Sequence, residues 1–168
     1  MQQVTRSLLL VAGVFVGLIV LAGWALGVLV DVRDQPNRHL AASDDGPTRI
    51  ELERNPAGQY LVPGRINGVE VTFLVDTGAT HVAVPADIAA DIGLERGREI
   101  AVMTAGGRTT AWQTRIDTIQ IGGIRQQGVR GSIVPAMASD YVLLGMTFLR
   151  HVDFAHRGDR LIIERATD

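Results

Sequence analysis

Val71-Thr72-Phe73-Leu74-Val75-Asp76-Thr77-Gly78-Ala79-Thr80 decides the fold. An apolar, strand-forming run leads without a break into an ionisable side chain, so Asp76 stands at the end of a strand that looks buried on both faces. A carboxylate in a low dielectric is costly unless it is hydrogen-bonded or protonated. Thr77, Gly78 and Thr80 can supply hydroxyl and amide donors within a tight turn. Three turn residues alone also fit a plain Asp turn closing a strand, and the choice rests on what surrounds them.

Outward from this stretch the chain is punctuated as β structure. Short alternating or apolar runs cover Ile50 to Glu53, Tyr60 to Ile66, Val69 to Val75, Val82 to Val84, Ile100 to Thr104, Thr109 to Ile121 and Val129 to Val134, with a last strand from Arg160 to Glu164. Asn67-Gly68, Gly106-Gly107 and Gly122-Gly123 are hairpin signals, because two-residue turns that match strand twist need residues tolerating positive φ. Pro85 before Ala86, Ile88, Ala89 and Ala90, with Gly93 beyond, predicts a short helix. A second short helix is expected near Gly145 to Leu149.

Three motifs in order carry a family resemblance. Phe73-Leu74-Val75-Asp76-Thr77-Gly78-Ala79-Thr80, the hairpin Met103-Thr104-Ala105-Gly106-Gly107-Arg108, and Val142-Leu143-Leu144-Gly145 resemble a retropepsin-like aspartic peptidase over about Ile50 to Ile163. The likeness is greatest to the bacterial single-domain group with an amino-terminal membrane anchor, which also shows the Ile66-Asn67-Gly68 turn and Gly145-Met146-x-Phe148-Leu149. It implies an all-β, closed-barrel protomer with one or two short helices, preceded by one transmembrane helix.

Aspartic peptidase chemistry uses two carboxylates sharing one proton and a water, since like charges that close cannot both ionise. This chain has one such motif, so a second Asp76 must come from another copy and the active unit is expected to be a two-fold homodimer. By the resemblance, one Asp76 acts as general base on the water and its protonated mate polarises the scissile carbonyl. Thr77 is implied to be a buried hydroxyl bonding across the dimer axis, and the Gly78 amide to donate to the carboxylate. Ala79 stands where some relatives have a hydroxyl residue, one donor fewer for the ionised form. Met103, Thr104, Ala105, Gly106 and Gly107, with Ala79, are the implied peptide-binding residues, the hairpin acting as a flap over the substrate. Thr80, Leu143, Leu144 and Gly145 are implied supports beneath the loop. No cofactor or metal enters this chemistry.

The amino-terminal part reads differently. Residues 1–7 form a short stub, and Leu8 to Val30 carries no charge, hydroxyl or amide side chain. As a helix it would reach about 34 Å, enough for a hydrocarbon core of about 30 Å. It is longer than a cleavable signal and lacks a good cleavage site, so it reads as a signal anchor in a bacterial inner membrane. Arg6 precedes the span, and Arg33 and Arg38 follow it. Charge counting leaves the orientation open, while the short leading flank favours a domain facing the periplasm. Gly13, Gly17, Gly23 and Gly27 share about a 120° arc of such a helix, a face on which two helices can pair, though glycine is also simply common in membrane helices. Asp31 to Thr48, rich in Asp, Pro, Gly and Ser, reads as a flexible spacer before a domain spanning 49–168, with Asp44 and Asp45 solvated.

Composition narrows the alternatives. Sixteen basic residues face 18 acidic ones, for a net charge of -2, without a basic cluster, so nucleic acid is not an expected partner. The absence of cysteine excludes disulfides, thiolate zinc sites and cysteine nucleophiles. His151, Asp153 and His156 have the look of a metal motif, but on a stretch leading into the last strand their side chains diverge, and a structural role is expected. Trp112 and Tyr60 are read as packing residues, and His81 as a strand-start residue pointing away from the dyad. The expectation is a membrane-tethered homodimeric endopeptidase acting on extended segments of periplasmic or membrane-proximal proteins. The rival is a non-catalytic module of the same fold that binds peptides or drives assembly.

Overall fold

The computed structural model describes residues 16–25, 27, 30, 33–40, 42–104 and 106–166. The chain divides into two compact units, Met1–Asp34 and Gln35–Asp168. In the first, residues 16–25 are helical, and Val16, Leu18, Ile19, Val20, Leu21 and Trp24 are all exposed. No helix among the described residues is long and apolar enough to cross a membrane. Residues 8–15, 26, 28 and 29 of the expected span, Gly13 among them, lie outside the described residues.

The second unit holds ten strands and two short helices: β1 (Arg49–Glu53), β2 (Leu61–Ile66), β3 (Val69–Val75), β4 (Val82–Pro85), α1 (Ala86–Ile92), β5 (Glu99–Thr104), β6 (Gly107–Ile121), β7 (Ile124–Val134), β8 (Tyr141–Leu144), α2 (Met146–Leu149), β9 (Val152–Arg157) and β10 (Arg160–Arg165). The larger sheet runs β2-β3-β8-β4-β7-β6-β5, and β2 also pairs with β6, so six strands close into a barrel with β5 hanging from β6. The closure falls at Gly64, opposite Ile121. A side chain there would come within 2.6 Å of the Phe73 ring, so the close approach of β2 and β6 requires glycine. A separate antiparallel sheet, β1-β10-β9, completes the unit.

Turn chemistry fixes the register. Asn67 (φ 50) and Gly68 (φ 86) link Ile66 to Val69, both in the left-handed region that a primed two-residue turn demands. Gly122 and Gly123 link Ile121 to Ile124 in the same two-residue fashion. Alternation then sends Ile66, Phe73, Ile116, Ile119, Ile121, Val142 and Leu144 into one core with Phe148 of α2. Leu143, pointing the other way, packs on a smaller cluster of Ala83, Ala111 and Val134 with Ile100 and Val102. The helix α1 ends at Gly93 (φ 77), where the sequence places its stop.

The segment expected to be a loose spacer is packed on the domain over its described residues from Gln35 onward. Asn37 is buried, donates to the carbonyls of Glu53 (2.8 Å) and Leu61 (2.9 Å), and accepts from the Glu53 amide (2.7 Å). Leu40 rests on the main core and Ala42 is buried. Ser43 donates to the Gly122 carbonyl, and Asp44, still largely exposed, accepts from Gln120 and lies 3.5 Å from Arg125. One amide that satisfies three backbone groups outweighs the polar composition around it.

Candidate active site

Asp76 leaves the end of β3, which lies between β2 and β8 in the barrel wall. The strand end is held from both sides: the Val75 amide donates to the Tyr60 carbonyl (3.0 Å) and the Asp76 amide to the Leu144 carbonyl (3.3 Å). The chain then turns, and the Gly78 amide donates to Asp76 Oδ1 at 2.9 Å. This is the contact expected of Gly78, and it orients the carboxylate, whose second oxygen has no hydrogen-bond partner among the described residues. Asp76 and Ala79 are half-buried, whereas Thr77, Gly78 and Thr80 are exposed.

The loop rests on the segment that follows β8. Met146 and Thr147 donate their amides to the carbonyls of Ala79 (2.8 Å) and Thr80 (3.2 Å). A Cβ at Gly145 would lie 2.6 Å from the Ala79 oxygen and closer still to that of His81, so the chain can pass under the loop only as glycine. Leu144 is fully buried and Leu143 packs on the smaller cluster, which gives Leu143, Leu144 and Gly145 the supporting place expected of them. Thr80 takes part through its carbonyl alone.

Sequence reasoning passed over Thr147, the open position in Gly145-Met146-x-Phe148-Leu149. Its buried hydroxyl donates to the Arg130 carbonyl (2.7 Å) and accepts from the Val82 amide (3.0 Å). It therefore joins α2, β7 and β4 directly behind the Asp76 loop. A hydroxyl residue between apolar helix positions was the available signal.

Thr77 is exposed within a single chain, and its side chain has no hydrogen-bond partner among the described residues. The Met103 to Gly107 hairpin pairs Thr104 with Gly107, so Gly107 is a strand residue and Gly106-Gly107 is not the two-residue turn expected. Gly107 instead opens β6 at φ 105. Ala105 lies outside the described residues. Met103 is 77% exposed, and the Thr104 hydroxyl donates to the Gly107 carbonyl at 2.9 Å. No hydrogen bond ties the hairpin tip to the Asp76 loop among the described residues. The lower hairpin, through Ile100 and Val102, shares the cluster that holds Leu143.

Neighbouring groups complete the surroundings. Burial, then the charges of Arg130 and Arg150, hold the His81 imidazole below its ordinary value. His156 lies on β9, a strand the sequence reading missed, and its Nε2 is 2.7 Å from the Tyr60 hydroxyl with the two rings edge to face. His156 is thereby tied to the residue whose carbonyl receives Val75.

Residues 62–151, just over half of the chain, match the family described as "gag-polyprotein putative aspartyl protease". The chain belongs to the retropepsin-like aspartic protease family. The match begins in β2 and ends just past α2, so it contains the Asp76 loop, the hairpin and the Leu144-Gly145 support. A retropepsin-like aspartic protease from Rickettsia conorii is similar at 27% identity and a TM-score of 0.58, covering 68% of this chain and 89% of that one. EIAV protease complexed with the inhibitor HBY-793 is similar at 21% identity and a TM-score of 0.47, covering 57% and 89%. A curated relative from Sinorhizobium sp, described as an uncharacterized protein in the cobV 5' region, is 30% identical over 118 residues, 68% of this chain. The chain spans about half the length of that relative, 51%.

Proposed function

We propose that the chain is a homodimeric aspartic endopeptidase, tethered to a membrane by Leu8 to Val30, in which two Asp76 carboxylates activate one water. The observation that carries this reading is the Asp76 turn: one oriented carboxylate oxygen, one without a hydrogen-bond partner among the described residues, and exposed Thr77 and Gly78 beside them. A single carboxylate cannot serve as base and acid at once. A two-fold partner brings the second one, covers Thr77, and forces the pair to share a proton. The ionised Asp76 then takes a proton from water as it attacks the scissile carbonyl, and the protonated Asp76 polarises that carbonyl and later protonates the leaving nitrogen.

The Met103 to Gly107 hairpin closes over an extended peptide and excludes water. Beside the dyad, the described residues assigned to this site are uncharged, which favours apolar side chains around the cut. Tethering of two copies in one membrane raises their effective concentration, and the face bearing Gly13, Gly17, Gly23 and Gly27 supports pairing of the anchors. The short leading stub favours a catalytic domain in the periplasm, acting on membrane-proximal proteins.

The test is Asp76→Asn in the full-length protein. Cleavage of a peptide library disappears, while folding and dimer mass persist. Equal turnover by wild type and variant would sink the enzyme reading. Partner binding without turnover in either form would establish the binding module instead. A fusion at the carboxyl end that fluoresces only in the cytosol stays dark if the domain is exported.

A further inference from the structure

A cavity of about 770 Å3 opens on the barrel away from the Asp76 carboxylate, between the 93–98 loop, β6 and the middle of β7. Its lining carries Arg96, Arg98, Arg115 and Arg130 against two carboxylates, Glu95 and Asp117. None of the four guanidinium groups forms an ion pair among the described residues, although the chain pairs Arg49, Arg54, Arg65, Arg125 and Arg160 elsewhere. Four like charges against two carboxylates leave an excess of positive charge in the lining, and a sequence nearly balanced in charge has no compositional need for such a cluster.

The site is built rather than incidental. The Gly97 amide donates to the Gln113 carbonyl (2.8 Å) and the Gln113 amide to the Arg98 carbonyl (2.9 Å), which straps the loop onto β6. Arg96 is laid over the Trp112 ring, 4.5 Å from its centroid. In the wall, Thr114 is nine-tenths buried, and its hydroxyl is the one buried side-chain oxygen among the described residues without a hydrogen-bond partner. His81 also lines the cavity, where burial first, and then the charges of Arg130 and Arg150, hold its imidazole below the ordinary value.

We propose that this cavity binds a doubly charged, phosphate-bearing ligand gripped by Arg96, Arg98, Arg115 and Arg130. Guanidinium forks match phosphate oxygens two at a time, and four positive charges less two negative leave a net of two to neutralise. The site borders the catalytic support, since the Arg130 carbonyl receives the Thr147 hydroxyl, but it does not depend on the peptidase reading.

The test is calorimetric titration of the full-length protein with sodium pyrophosphate at constant ionic strength, together with an NMR titration of His81. Saturable binding of one equivalent per chain is expected. Affinity falls about tenfold or more in Arg115→Gln/Arg130→Gln and is unchanged in Arg54→Gln, whose residue lies outside the cavity. Bound pyrophosphate raises the His81 midpoint in wild type and leaves it in place in the double variant. Equal binding by wild type and double variant, or a His81 midpoint indifferent to pyrophosphate, overturns the proposal. Displacement of pyrophosphate by short-chain phosphatidic acid, whose phosphomonoester can carry two charges, assigns the natural ligand to a lipid headgroup, and failure to displace it assigns a free phosphate compound.

Discussion

The Asp76 loop and the Thr104–Gly107 turn are both glycine-bearing bends at the ends of β-strands, yet they are held in opposite ways. The first is fastened by strands remote in sequence: Tyr60 and Leu144 hold its entry, Met146 and Thr147 hold its exit, and Gly145 lets the support pass beneath. Among the described residues, the second is held by its own ladder and the Thr104–Gly107 hydrogen bond. Rigid support suits a group that must meet a reacting atom in one geometry, and a self-contained hairpin suits a cover that must lift and close. Substitutions in the loop support should therefore damage stability and turnover together, whereas those in the hairpin should change substrate handling with little effect on the fold.

The largest effect is expected at the carboxylate. Asp76→Asn should lower kcat by about a thousandfold or more, within the range of lost acid–base catalysis, with an unchanged urea midpoint. Gly145→Ala should cost about 3 kcal/mol in urea unfolding, because a Cβ meets backbone oxygens that cannot swing aside, and should remove activity with it. Thr147→Val keeps the shape but strands the Val82 amide and the Arg130 carbonyl, for a loss of about 2 kcal/mol. Gly107→Ala, strained at φ 105, should cost about 1 kcal/mol and appear mainly in KM. Equal damage to stability from Gly107→Ala and Gly145→Ala would erase the contrast between the two turns.

The smallest effect concerns pH. Because His81 is held below its ordinary value of 6.5, the fold favours the neutral imidazole. Its contribution is complete above the unfolded pKa and is lost as pH falls through the lower folded value. Glu51 is also depressed, first by its hydrogen bond to Arg49, so its contribution is lost in the more acidic window below 4.5. Between about pH 7 and pH 5 the urea midpoint of wild type should therefore fall more than that of His81→Gln, which retains Glu51.

Much of the barrel was legible because its signals are local. Asn67-Gly68 names its own turn type, Pro85 and Gly93 bracket α1, and the apolar alternation of β2 and β3 marks their inner faces. The elements that escaped are those whose partners are distant or wet. The first part of β7, Arg125 to Gln127, pairs with β6 and not with β4, whose ladder begins at Gly131. It can therefore be polar without ceasing to be a strand. β9 is an edge strand whose residues beyond Val152 are exposed, and the charged side chains that suit an edge hide its period. Asp76 and Gly78 could be read in place because the turn that joins them spans three residues. Thr147 and Asn37 could not, since their value lies in carbonyls and amides many residues away.

The docking of Asn37 has a practical consequence for where this polypeptide can be cut. A fragment begun at Arg49 would lose the amide that satisfies Glu53 and Leu61, and would uncover the patch under Leu40 and Ala42. Trimming at that point would yield a frayed, sticky product rather than a minimal folded piece, and the compact unit starts at Gln35.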